Sequence, residues 1–173
     1  LIDDKTILHI QSKFHKILRV NPSDINEEAN DIFLKLESIL NSEIYIKNLP
    51  LLVPHSVYPQ IVKLLSETQD ERVHLTICRI ITALTNDISS SLKELLNNDL
   101  FKPIDYCISN FKFPKSTYLL FQIIVNYLSD PNEELSMFVH EKYPVDYLFR
   151  ILQFLKYNLT SKIPEIDPDC SLQ

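Results

Sequence analysis

Sliding the sequence against itself by 43 residues lays Leu49, Leu52, Val53, Val57, Ile61 and Leu65 on Leu92, Leu95, Leu96, Leu100, Ile104 and Ile108. A second slip of 43 reaches Leu135, Phe138, Val139, Tyr143, Tyr147 and Ile151. Every one of these positions is apolar or aromatic, and Ile80 to Asp87 lines up with Ile123 to Asp130 at the same offset. Self-similarity at a fixed period constrains a chain strongly, because such a unit buries its apolar face only by stacking on a neighbour. Within a period the apolar residues recur at helical spacing, as in Val73, Ile77, Ile80, Ile81 and Leu84, and no stretch sustains two-residue alternation. One period therefore reads as a short helix, a second helix and a long third helix.

The chain is all-α on this reading. Pro59, Pro103, Pro114, Pro131 and Pro144 stand where first turns of helices would begin, and residues 60–102 contain no proline. Asp24 with Glu27, Thr68 with Glu71, Ser91 with Glu94 and Asp130 with Glu133 are spaced as capping pairs. A partial unit comes first: Ile7 to Arg19 as a second helix, a loop through Asn21-Pro22, and Ile25 to Leu40 as a third helix. Its Ala29, Phe33, Leu36 and Leu40 match Val73, Ile77, Ile80 and Leu84 at an offset of 44. The expected organisation is one repeat domain over residues 1–157, with a partial unit 1–43, units near 44–87 and 88–130, and a truncated unit 131–157. Residues 158–173 read as a C-terminal cap or flexible tail.

Composition removes whole classes of chemistry. The 173 residues include no glycine, so the phosphate-cradling loop, the dinucleotide fingerprint and the nucleophile elbow, which need it, have no counterpart here. A formal charge of −6 runs against a nucleic-acid footprint. Cys78, Cys107 and Cys170 are odd in number and lack C-x-x-C spacing, which favours a reducing compartment, the cytoplasm first with the nucleus as the alternative. No apolar run reaches the roughly 18 residues of a membrane span. The start at Leu1, with neither an initiator Met nor a signal-peptide layout, suggests an excised fragment, a monomer or part of a larger chain.

The run from Val57-Tyr58-Pro59-Gln60-Ile61-Val62-Lys63-Leu64-Leu65 to Ile80-Ile81-Thr82-Ala83-Leu84-Thr85-Asn86 resembles an armadillo repeat, whose short apolar second helix leads into a third helix ending in a Leu-x-Asn-like turn. The resemblance covers roughly residues 7–157. Where armadillo units commonly carry Gly between their first two helices, this chain has Pro54-His55, Asn98-Asp99 and Glu141-Lys142, so a HEAT-like label stays open. The resemblance implies a right-handed α-solenoid of about three armadillo-like repeats with a period of 43–44 residues. It also implies a non-catalytic protein-interaction module. The alternatives are a helical regulatory domain of a larger enzyme, a chaperone-exchange factor or a cytoskeletal regulator, all on fold analogy.

Candidate chemistry was weighed residue by residue. His9, His15, His55, His74 and His140 form no i, i+4 pair around a Glu, so no metal site is expected. Glu27-Glu28 and Glu133-Glu134 fit first-turn carboxylates facing a helix dipole better than acid–base pairs. Cys78 and Cys107 read as buried thiols. The aromatics Tyr106, Phe111, Phe113, Tyr118, Phe121 and Tyr127 read as core filling, since only Lys102, Lys112 and Lys115 provide basic charge nearby. No cofactor, nucleic acid or membrane is expected as a partner.

Stacked units present their third helices as a ladder, and helical spacing gathers polar residues on one face of each. Those stripes are Glu28, Asp31, Lys35, Ser38 and Ser42; then Arg72, Leu75, Arg79, Thr82 and Asn86; then Lys115, Tyr118, Gln122, Val125 or Asn126, and Ser129. The expected partner-binding residues are Arg72, Arg79, Thr82, Asn86, Lys115, Tyr118, Gln122 and Asn126. Their basic character suits an extended protein segment with acidic or phosphorylated side chains. Nuclear-import adaptors of the armadillo family place Trp four residues before the Asn; Thr82 stands there, which disfavours basic localisation peptides. Replacing Arg72 and Arg79 with Glu is expected to remove binding without altering melting.

Overall fold

The computed structural model describes residues 2–86, 89–110 and 112–134, with single helical positions at 137, 141, 153 and 156. These residues are helical throughout and carry no β-strand, apart from an isolated bridge between Asn21 and Asp24 in the first loop. The elements are α1 (Asp4–His15) with a 3₁₀ turn (Lys16–Arg19), α2 (Glu27–Leu40), α3 (Glu43–Lys47), α4 (Leu49–Leu52), a 3₁₀ turn (His55–Val57), α5 (Tyr58–Glu67) and α6 (Glu71–Thr85). Then follow α7 (Ser89–Asn97), α8 (Phe101–Ser109), a 3₁₀ turn (Pro114–Ser116) and α9 (Thr117–Leu128). The truncated unit at 131–157 and the tail at 158–173 lie outside the described residues, single positions apart.

Positions one period apart have the same fate. Leu49, Leu52, Val53, Val57, Ile61 and Leu65 are buried, and so are Leu92, Leu95, Leu96, Leu100, Ile104 and Ile108. The third-helix series Ala29, Phe33, Leu36 and Leu40 and its match Val73, Ile77, Ile80 and Leu84 are buried as well. All belong to one contiguous core. Helix α6 packs against both α2 and α9, and α5 packs against α8.

Side-chain hydrogen bonds cross the same one-period gap. Gln60 Nε2 donates to the Val20 carbonyl at 2.8 Å, Lys112 Nζ to the Thr68 carbonyl at 3.0 Å, and the Tyr127 hydroxyl to the Leu92 carbonyl at 2.7 Å. These bonds span 40, 44 and 35 residues. The buried Tyr58 and Ser91 hydroxyls share a bond of 3.0 Å across 33 residues. Ser91, spaced as a cap, is instead fully enclosed within α7. Two other caps also shift: Asn26 rather than Asp24 accepts from Ala29 N–H, and Asp70 rather than Thr68 accepts from Val73 N–H. Thr68 Oγ1 accepts from Asp70 N–H at 3.2 Å, so it shapes the turn before the helix. Asp130 likewise accepts from Asn132 N–H in a local turn.

The lack of glycine is felt at one corner. Asp99 adopts φ 58°, the left-handed conformation that ends α7, with its N–H on the Leu96 carbonyl and Leu100 N–H on that of Leu95. An L-residue there costs about 1 kcal/mol, and Asp is among the few that tolerate it. This is the Asn98-Asp99 junction between α7 and α8. At Pro54-His55 the chain turns instead through Pro54 in extended geometry and a 3₁₀ turn.

His74 is enclosed at the junction of α6, α8 and the turn before α9. Its Nδ1 lies 2.9 Å from Ser116 Oγ and its Nε2 3.3 Å from Cys107 Sγ, with the Phe113 ring 4.3 Å away by centroid. A neutral ring satisfies both contacts by donating from one nitrogen and accepting at the other. Burial, reinforced by Lys112, pushes the imidazole down to about 4. The folded state thus binds this proton less readily than the unfolded chain, whose His titrates near 6.5. Stability should be complete above pH 6.5, fall as pH drops toward 4, and lose about 3 kcal/mol from this group alone. Urea denaturation at pH 7, 6 and 5 should show that slope. It should flatten in His74→Gln, whatever that change does to absolute stability.

Candidate functional site

Helices α6 and α9, with the short α3 and α4, bring part of the polar ladder together around a groove of about 380 Å³. Arg79, Thr82, Ala83 and Asn86 from α6 and its C-terminal cap form one side, Tyr118 and Leu119 from the start of α9 a second, and Ile46, Lys47 and Pro50 from α3 and α4 a third. Four of the expected residues, Arg79, Thr82, Asn86 and Tyr118, therefore share one site. Tyr118 is 67% exposed and presents its ring at the mouth. Leu119 is buried, while Ala83, Ile46 and Pro50 are half-buried.

The remaining ladder residues hold helices together. Arg72 makes a forked pair with Glu37 of α2, Nε and Nη2 each donating to a carboxylate oxygen at 2.8 Å. Those hydrogen bonds hold the Glu37 carboxyl below the usual carboxylate range against the opposing effect of burial. Lys115 Nζ lies 3.6 Å from Glu71 of α6. Asn126 Nδ2 donates to the Thr82 carbonyl at 3.4 Å and to Thr85 Oγ1 at 3.0 Å, and its Oδ1 accepts from Gln122 Nε2 at 2.9 Å. Arg79 has a double role: Nη2 donates to the Leu40 carbonyl at 3.3 Å and to Asn41 Oδ1 at 3.0 Å, capping the carbonyl end of α2. The Thr82 hydroxyl donates to the Cys78 carbonyl at 2.8 Å, so it is engaged within α6. On α2, Asp31 and Lys35 pair with each other as an exposed i, i+4 couple.

Sequence reasoning missed Ile46, Lys47, Pro50, Ala83 and Leu119. The first three lie on short helices whose approach to α6 is a tertiary fact. Ala83 and Leu119 carried the signal of an apolar residue one step from the polar stripe. Two aromatics read as core are at the surface instead: Tyr106 is 53% exposed, with Lys112 Nζ 5.7 Å from its ring, and Tyr118 borders the groove. Phe113 and Tyr127 are buried, and Phe111 lies outside the described residues.

The thiols of Cys78 and Cys107 are buried and unbridged. Burial pushes Cys107 up to about 11 and Cys78 higher still, so both stay protonated at neutral pH and are poor nucleophiles. Cys78 Sγ lies 3.7 Å from His74 Nδ1 whereas Cys107 approaches Nε2, so the two sulfurs address different ring nitrogens. No group of three or more His, Cys, Asp or Glu suited to a metal ion occurs among the described residues. Nor is any helix there long and apolar enough to cross a membrane.

The Arg72 and Arg79 contacts overturn the expectation that reversing both charges spares the fold. Arg72→Glu faces Glu37 with a like charge, and Arg79→Glu sets an acid against the negative end of α2. Calorimetry should show the double variant melting several degrees below the parent, and the exchange Arg72→Glu with Glu37→Arg recovering most of the Arg72 share. Equal melting of all these chains would place the pair outside the stability of the α2–α6 junction.

Compared with known proteins, the chain matches no family model, no curated protein and no solved structure, so the reading of the site rests on its own residues.

Proposed function

We propose that this chain is a right-handed α-solenoid of armadillo-like units and acts as a non-catalytic protein-interaction module. Its partner is an extended protein segment lying along the face of the third helices. The observation that carries the reading is the groove beside α6, where Arg79, Thr82, Asn86 and Tyr118 meet apolar surface from two neighbouring elements. A pocket of about 380 Å³ with apolar walls and a few polar groups has the size and character of a recognition site. The stacking half of the proposal is supported by buried positions 43–44 residues apart and by hydrogen bonds that cross one period. The two unbridged thiols fit the cytoplasm.

Site-specific photocross-linking separates this face from its reverse. A benzoylphenylalanine at position 118 samples the groove, and one at position 106 samples the exposed second-helix side. In extracts of the source organism, protein adducts should form from 118 and not from 106. Adducts from 106 alone would move the interface to the second helices, and none from either would remove the interaction reading.

A further inference from the structure

The groove joins carbon surface to cationic groups. Leu119 is buried and Ala83, Ile46 and Pro50 are half-buried, as are the polar Arg79 and Thr82, whereas Lys47, Asn86 and Tyr118 are exposed. Lys47 and Arg79 are cationic, and none of the lining residues is acidic, in a chain of net charge −6. Glu43 and Glu37 are two acids beside these cations. Glu43 pairs with Lys47 at 2.6 Å in a couple that is 70% and 81% exposed, a weak surface pair open to exchange. Glu37 is engaged by Arg72. Arg79 commits Nη2 alone to the end of α2.

Resting on the interaction-module reading, and giving that site its partner chemistry, we infer that the groove takes an extended peptide segment in which one large aliphatic or aromatic side chain lies next to a Glu or Asp. The apolar side chain enters between Ala83, Leu119, Ile46 and Pro50. The neighbouring carboxylate stays at the mouth between Lys47 and Arg79, where a guanidinium offers forked recognition. On the interaction-module reading the occupant is a peptide; a fatty acid, which supplies the same two chemistries, is the outcome the test separates from it.

The test uses the full chain and capped, fluorescein-labelled heptapeptides read by anisotropy. One carries a central Phe flanked by Glu; its controls replace Phe with Ala or Glu with Lys. Unlabelled dodecanoate serves as competitor. The Glu-flanked Phe peptide should bind at least about tenfold tighter than either control. Ala83→Phe, which fills the groove, should abolish binding. The exposed Lys47→Glu should weaken the Glu-flanked peptide about tenfold and remove the preference over the Lys-flanked one. Because Lys47 is on the surface, that variant keeps the test alive if Ala83→Phe fails to fold.

Several results overturn the inference: equal binding of the Phe and Ala peptides, equal binding of the Glu- and Lys-flanked peptides, no binding at about 1 mM, or binding of dodecanoate without the peptide. Cross-links from position 118 together with any of these would leave the module reading standing and remove only the partner chemistry. Absence of cross-links from both 118 and 106 would remove the module reading itself.

Discussion

Helix α6 packs against α2, α4, α5, α7 and α9, and this enclosure governs the rest of the structure. A helix with neighbours on so many sides cannot keep one apolar stripe and one wet face. It buries Val73, Ile77, Cys78, Ile80, Ile81 and Leu84, and also the polar His74, Thr76 and Thr85. Each of these polar side chains has a partner: His74 has Ser116 and Cys107, Thr76 the Arg72 carbonyl, Thr85 the Thr82 carbonyl. Buried polar groups cost free energy unless satisfied; the two threonines are satisfied within α6, and the His74 contacts tie α6 to a particular register against α8 and the turn before α9.

The same enclosure explains why the ladder is only partly available for binding. Helices packed side by side face each other's polar rims, and charges that sequence spacing assigns to solvent find partners across the seam. Arg72 meets Glu37, Lys115 meets Glu71 and Asn126 meets Thr82. Where α3 and α4 stand beside α6 the seam opens into the groove, and Arg79, Thr82, Asn86 and Tyr118 border open space there. A basic mouth on an acidic chain follows from the placement of Lys47 and Arg79.

The helices and the buried positions were legible in the sequence because apolar periodicity is a direct consequence of burial. Leu49 with Leu92 and Ile80 with Ile123 could be paired by counting alone. Caps were less legible: Asp24 and Thr68 stand two residues from the true caps Asn26 and Asp70, and the side chain of Thr68 accepts from a nearby backbone N–H as those of the two caps do. The groove was half legible. Arg79, Thr82, Asn86 and Tyr118 fell on predicted stripes and Ala83 and Leu119 one step off them, but Ile46, Lys47 and Pro50 come from another part of the chain, and single-helix spacing carries no record of that approach.

The central claim is that units stack openly, each against its neighbours, and do not close into a bundle. Arg19, Lys63 and Tyr106 are successive exposed positions 44 and 43 residues apart, on the turn after α1, on α5 and on α8. Nitroxide labels at cysteines introduced in pairs at these sites measure the stack by pulsed electron resonance, with Cys170→Ser as background. Cys78 and Cys107, buried and protonated, react slowly. The account predicts that the 19–63 and 63–106 distances are short and similar, and that 19–106 approaches their sum, given neighbouring helices spaced about 8–10 Å apart. A 19–106 distance no longer than the other two would contradict it, because only a closed packing brings the first and third members as near as adjacent ones.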